Sequence, residues 1–179
     1  MTIDPNTLTQ PARRIQIVMT CGMALFLAIT AGLAFATITK PSSVGPILAD
    51  FGGFSTGPLM AWQTVALIGI TAIHLTIWLL LLGTARHVFR HLADGEPEAA
   101  SHAARNLANW LWAMLAWGLI SQILVSLVAT WGFPEGQRAI SFGFGTPQVS
   151  IALSALIAGF MARAFALGAE LWRDHSEVV

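Results

Sequence analysis

The sequence predicts an all-α protein: a polytopic membrane domain whose four transmembrane helices form an up-down bundle with both termini cytoplasmic. Three observations carry this expectation. Four stretches are long and apolar, only 10% of the residues are charged, and the basic residues gather on one side of the resulting zigzag. A soluble domain carries about a quarter charged residues to keep its surface wetted. Here 55% of the 179 residues are apolar, and residues 1–179 read as a single domain.

The spans are expected over residues 15–39, 59–84, 107–131 and 149–171. Each exceeds the ~20 helical residues needed to cross ~30 Å of hydrocarbon. Backbone polar groups in lipid must be satisfied within the segment, so runs of this length read as helices. The first span follows Arg13 and Arg14 and contains no charge. Ala34-Phe35-Ala36 has the small-x-small look of a signal cleavage site, but the apolar run is longer than a signal core, and an anchor is expected. Only the fourth span is charged, through Arg163 and Glu170.

Orientation follows from the positive-inside rule. Arg13, Arg14, Arg86, Arg90, Arg105, Arg163 and Arg173 fall on one side, and only Lys40 and Arg138 on the other. The amino end, the central loop and the carboxyl end are therefore expected in the cytoplasm, in a cell inner membrane. Tryptophan favours the headgroup level, and Trp62, Trp110, Trp112, Trp131 and Trp172 fall near span boundaries. Trp78 and Trp117 lie inside, as packing residues.

The two outer connections are rich in Gly, Pro, Ser and Phe and read as ordered turns or short irregular caps rather than domains. Phe51-Gly52-Gly53-Phe54-Ser55-Thr56-Gly57-Pro58 and Phe142-Gly143-Phe144-Gly145-Thr146-Pro147 resemble each other and hint at two related hairpins. In the central connection, the second helix is expected to continue through Leu92. Asp94-Gly95-Glu96-Pro97 then supplies a stop, and the helix resumes near Glu98. Gly22, the stretch from Ala24 to Gly32, Gly69, Gly159 and Gly168 are expected at close helix contacts, where small residues let backbones approach.

Equal numbers of basic and acidic residues, nine each, give no net charge that points to nucleic acid. Cys21 alone makes neither a disulfide framework nor a thiolate metal site and reads as a small buried hydrophobe. No phosphate-cradling loop, nucleophile elbow or HExxH motif is present, so no catalytic residue, metal or cofactor is assigned. His87 and His91 share a helix face and a metal can bridge such a pair, yet they alternate with Arg86 and Arg90. A basic juxtamembrane helix on anionic headgroups is the simpler reading. His74 lies deep in the second span, where a polar ring is a functional lead; Ser121 and Gln122 of the third span are its expected hydrogen-bond partners. Haem ligation would want a second histidine on a facing span, and none is present. Arg163 and Glu170 read as interface-snorkelling residues.

Two segments carry a resemblance. One is Val88-Phe89-Arg90-His91-Leu92-Ala93-Asp94-Gly95-Glu96-Pro97 with Ala103-Ala104-Arg105-Asn106-Leu107. The other is Phe165-Ala166-Leu167-Gly168-Ala169-Glu170-Leu171 with Asp174 and Val178-Val179. Together they resemble the small bacterial membrane family catalogued as domain of unknown function 2975. The family has four spans, an FR-x-x-x-x-G-x-P-type central loop and an ending like G-x-x-L-x-x-(acidic)-x-x-x-V. The chain departs from it at Glu98, where phenylalanine commonly follows, and at Trp172 and Arg173, where the family tends to be acidic. The resemblance implies fold and topology without an activity. Some relatives are encoded beside a small helix-turn-helix regulator, which implies a membrane partner for such a protein.

Three functions are therefore weighed. The first is a non-enzymatic membrane protein whose cytoplasmic face docks a regulator or another membrane subunit. It would use Phe89, Arg90, Gly95, Pro97, Arg105, Glu170 and Asp174, with Arg90 or Arg105 pairing with the tail acids. The second is small-molecule or proton binding or transport in the bilayer at His74, Gln63, Thr64, Ser121 and Gln122, with a homo-oligomer supplying the wall of any pathway. The third is a haem or metal redox subunit.

Overall fold

The computed structural model describes residues 6–51, 53, 59–134, 136, 138 and 140–176, which fold as five α-helices with no strand among them. They are α1 Asn6–Thr39, α2 Pro41–Phe51, α3 Ala61–Ala93, α4 Pro97–Thr130 and α5 Thr146–Ser176. All but α2 are long and apolar enough to cross a membrane. Each long helix packs mainly on its neighbour in chain order, α1 on α3, α3 on α4 and α4 on α5, with α2 lying against α3.

The packing is built for hydrocarbon. Large side chains such as Ile17, Leu25, Phe35, Leu156 and Phe160 point outward, whereas the buried positions are dominated by small residues. Ala100, Ala104 and Ala108 recur every turn on α4 and are buried, as are Ala155, Ala158 and Ala162 of α5, the helix packed on it; Ala104 and Ala162 share one cluster. An alanine seam lets two backbones approach closely, which is how helices associate where lipid is as apolar as leucine. Ser101 donates from this seam to the Ala162 carbonyl at 2.9 Å. Hydroxyls elsewhere in the spans are satisfied locally: Thr30, Thr37, Thr71, Thr76 and Thr84 each donate to the carbonyl one turn back, as a hydroxyl away from water requires.

Alanine, not glycine, therefore makes the close contacts. A Cβ placed on Gly22, Gly32, Gly69, Gly159 or Gly168 would meet nothing within 4 Å, which corrects the expectation that these glycines mark helix crossings. The glycine that does sit at a close approach is Gly45, whose added Cβ would stand 2.5 Å from Thr64 Oγ1. Gly45 lies in α2, itself a correction to the irregular cap expected there. Val44 and Ala49 are buried, so the segment packs one apolar side inward despite Pro46. The first of the two similar Phe-Gly runs falls largely outside the described residues.

The central turn forms as its residues dictate. Gly95, at φ +75°, takes the left-handed position that ends α3. Its N–H donates to the Leu92 carbonyl at 3.4 Å and the Glu96 N–H to the His91 carbonyl at 2.9 Å. This pair of bonds is the Schellman arrangement, which satisfies carbonyls that a helix end leaves without partners. Pro97 then opens α4 at a position where no N–H is needed. At ~1.5 Å per residue α3 is ~50 Å long, more than the ~30 Å of hydrocarbon requires.

Candidate functional site

The hairpin end collects most of the residues singled out in the sequence. Val88, Ala104 and Ala162 form a buried cluster, joined by Leu92, Leu107 and Phe165, which locks α3, α4 and α5 together there. On this base a groove of about 610 Å³ opens between the start of α4 and the end of α5, walled by Glu96, Pro97, Glu98, His102, Ala169 and Arg173. Beside it a smaller cleft of about 160 Å³ brings Arg105 and Glu170 together with His102. Arg105, Glu170 and Pro97 thus share one surface. Phe89 is half-buried and Gly95 exposed on the turn itself. The side chain of Asp174 lies outside the described residues, as do those of Trp172 and His175.

Of the two arginines expected to pair with the tail acids, Arg105 shares a cleft with Glu170, and Arg90 has a local partner. Arg90 Nε lies 3.6 Å from Asp94, one turn along its own helix, and both are exposed. A second ion pair, with the acid on α4, ties together the two arms of the second hairpin: Arg173 Nη2 donates to Glu98 Oε2 at 3.0 Å. His91 Nδ1 stands 2.9 Å from Glu96 Oε2, and its ring stacks on His87 at 6.4 Å. Among the described residues no three His, Cys, Asp or Glu gather as a metal would require.

The intramembrane polar residues divide into two groups. Gln63 is buried at the far end, where it does structural work. Its Oε1 accepts the Met60 N–H at 2.7 Å and its Nε2 donates to the Val128 carbonyl at 2.7 Å. One side chain thereby satisfies an orphan donor at the start of α3 and an orphan acceptor at the end of α4. Trp62 and Trp131 meet edge to face at this level, 6.0 Å apart, and the Arg138 guanidinium lies 5.2 Å over the Trp131 ring. Arg163 is exposed on α5. Trp117 Nε1 is buried with no hydrogen-bond partner among the described residues.

His74 belongs to the second group. With Trp78, Met114, Gly118, Ser121 and Gln122 it lines a half-open cleft of about 330 Å³. Ser121 and Gln122 line the same cleft as His74, but the hydrogen bonds expected between them and the ring are not formed. The ring's Nε2 instead accepts the Trp78 indole N–H at 3.2 Å. Gln148, at the first turn of α5, completes the wall and was not singled out in the sequence. Its position beside Pro147 made it read as the end of a loop. The segment leading to it, residues 140–145, runs extended along α4. Ser141 N–H donates to Ser126 Oγ at 3.0 Å and Gly143 N–H to Gln122 Oε1 at 2.9 Å. Two residues of extended chain span about one helical turn, so residues two apart find acceptors four apart on α4.

A row of apolar helices with its large side chains outward and its backbone breaks satisfied from within defines a multi-pass membrane protein. No family model, curated protein or solved structure matches the chain.

Proposed function

We propose that the chain is a non-enzymatic accessory protein of a cell inner membrane, presenting its central turn and tail in the cytoplasm to a protein partner, either a regulator or another membrane subunit. The observation that carries this reading is the groove of about 610 Å³ at the hairpin end. It is shallow, and it sets Glu98 beside His102 and Arg173, with Arg105 and Glu170 in the adjoining cleft. Both charge signs stay exposed, which suits complementary docking rather than burial of a small substrate. Seven of the nine basic residues fall on this side of the zigzag, which supports its cytoplasmic orientation. Membership of the family catalogued as domain of unknown function 2975 is part of the same proposal, and rests on the resemblance of the central-turn and tail segments alone.

The test is photocrosslinking in intact cells from Ala99 and Ala169, small residues on the two walls, with lipid-facing Ile157 as the control. One discrete adduct from the wall positions, absent from Ile157 and lost on Arg105→Glu, is expected. An adduct with the mass of two copies would make the partner a second chain. No adduct from either wall would remove the proposal.

A further inference from the structure

We infer that the cleft between α3, α4 and the first turn of α5 binds a neutral, lipid-soluble molecule with opposed carbonyls on a ring-sized head, the chemistry of a quinone. This rests on a different part of the molecule from the docking surface and stands apart from it. The hydrogen-bond directions inside the cleft can be assigned without seeing a proton. An indole N–H only donates, so His74 Nε2, 3.2 Å from Trp78 Nε1, is an acceptor, and the neutral ring carries its proton on Nδ1. A backbone N–H likewise only donates. The Gly143 N–H at 2.9 Å therefore fixes Oε1 of Gln122, and the Gly145 N–H at 2.9 Å fixes Oε1 of Gln148. Each amide's NH₂ is then the end left over. Ser121 spends its hydroxyl proton on the Gly118 carbonyl at 3.1 Å.

Among the described residues, no acceptor is matched to the imidazole Nδ1–H or to the two amide NH₂ groups. The cleft therefore has an excess of donors and asks for an acceptor. No charged residue lines it, and an anion at this depth would be costly, so the acceptor is a neutral carbonyl. His74 stands on the α3 wall and Gln148 on the α5 wall, which matches carbonyls on opposite edges of one ring. Trp78, Met114, Leu115 and Ile151 supply apolar surface for the ring and its tail. The volume, about 330 Å³, lies in the range of small-molecule pockets. Gly118 forms the floor: a Cβ there would meet nothing within 4 Å. Away from the cluster of Val88, Ala162 and Phe165 at the hairpin end, α3 and α5 make little contact, and the cleft is half-open.

The full chain in lipid nanodiscs would be titrated with decylubiquinone while tryptophan emission is followed, since Trp78 is part of the wall. Saturable quenching is expected. Gly118→Leu should fill the floor without backbone strain and weaken binding at least tenfold. His74→Phe should keep ring bulk, lose the donor and weaken it several-fold. Gly159→Leu, equally open but outside the cleft, should bind as the wild type does. Decylbenzene, which has ring and tail without carbonyls, should not compete. Helicity and a single elution peak certify each variant's fold. Quenching that rises linearly without saturation, equal affinity in Gly118→Leu, or equal competition by decylbenzene would overturn the assignment.

Discussion

Glu98 and Arg173 stand 75 residues apart in the chain and 3.0 Å apart in space, tying the start of α4 to the end of α5. Both side chains are about two-thirds exposed, and an exposed pair contributes only about 0–1 kcal/mol. Glu98→Arg and Arg173→Glu are therefore expected to leave the thermal transition in detergent within a few degrees of wild type. Each should instead lower the yield of the crosslinked partner, because each reverses a charge on the groove wall. If either swap unfolded the protein, the pair would be a structural element and not part of a docking face.

Gly95→Ala is expected to cost about 1–2 kcal/mol, since φ +75° puts a Cβ in the left-handed region. Gly69→Ala, in open space, should be neutral or slightly stabilising by helix propensity. Thermal melts followed by circular dichroism would compare the two. An equal loss in both would contradict the Schellman turn at Gly95.

Gly45→Ala should strain the contact of α2 with α3, because the new methyl meets Thr64 Oγ1 at 2.5 Å. Overpacking of this kind costs about 1–3 kcal/mol. Thr64→Ala in the same chain should restore most of the stability. A double variant no better than Gly45→Ala alone would place the damage elsewhere.

Gln63→Leu removes the only side chain that reaches from the start of α3 to the Val128 carbonyl among the described hydrogen bonds. An interhelical hydrogen bond in a membrane averages about 0.6 kcal/mol, with a maximum near 1.7. A loss of that size is expected in a detergent melt, with the partner crosslink unchanged. A crosslink that vanished with Gln63 would mean the two ends are coupled.

Fractionation should leave the protein in the membrane pellet after alkaline carbonate, and a fluorescent reporter fused after Val179 should light in the cytoplasm. Fluorescence absent there, with activity of a periplasmic reporter at the same site, would invert the orientation read from the arginines.

The four spans were legible because hydrocarbon demands length and apolarity together, and few other structures meet both demands. The central turn was legible for a different reason: Gly95 and Pro97 each restrict the backbone strongly enough to fix it locally. Which small residues face a neighbour was not legible. Glycine and alanine are equally small, and in a helix apolar on every side no periodicity marks the inward face, so Gly22, Gly69 and Gly159 were assigned to contacts that Ala104, Ala155 and Ala162 make. The helix α2 was obscured by Gly45 and Pro46, residues that ordinarily break a helix. The cleft was half-readable. His74, Ser121 and Gln122 stood out as polar atoms in grease, but Gln148 joins them only because an extended segment carries the start of α5 to the level of Gln122.

None of the residues of α1 described from Arg14 to Thr39 is buried, and the helix touches the rest chiefly along α3, where Phe26 tilts against Trp78 at 5.8 Å. Substitution along this helix is therefore judged by the lipid more than by neighbouring side chains. Outside the strip that meets α3, its letters are free to drift so long as they stay oily.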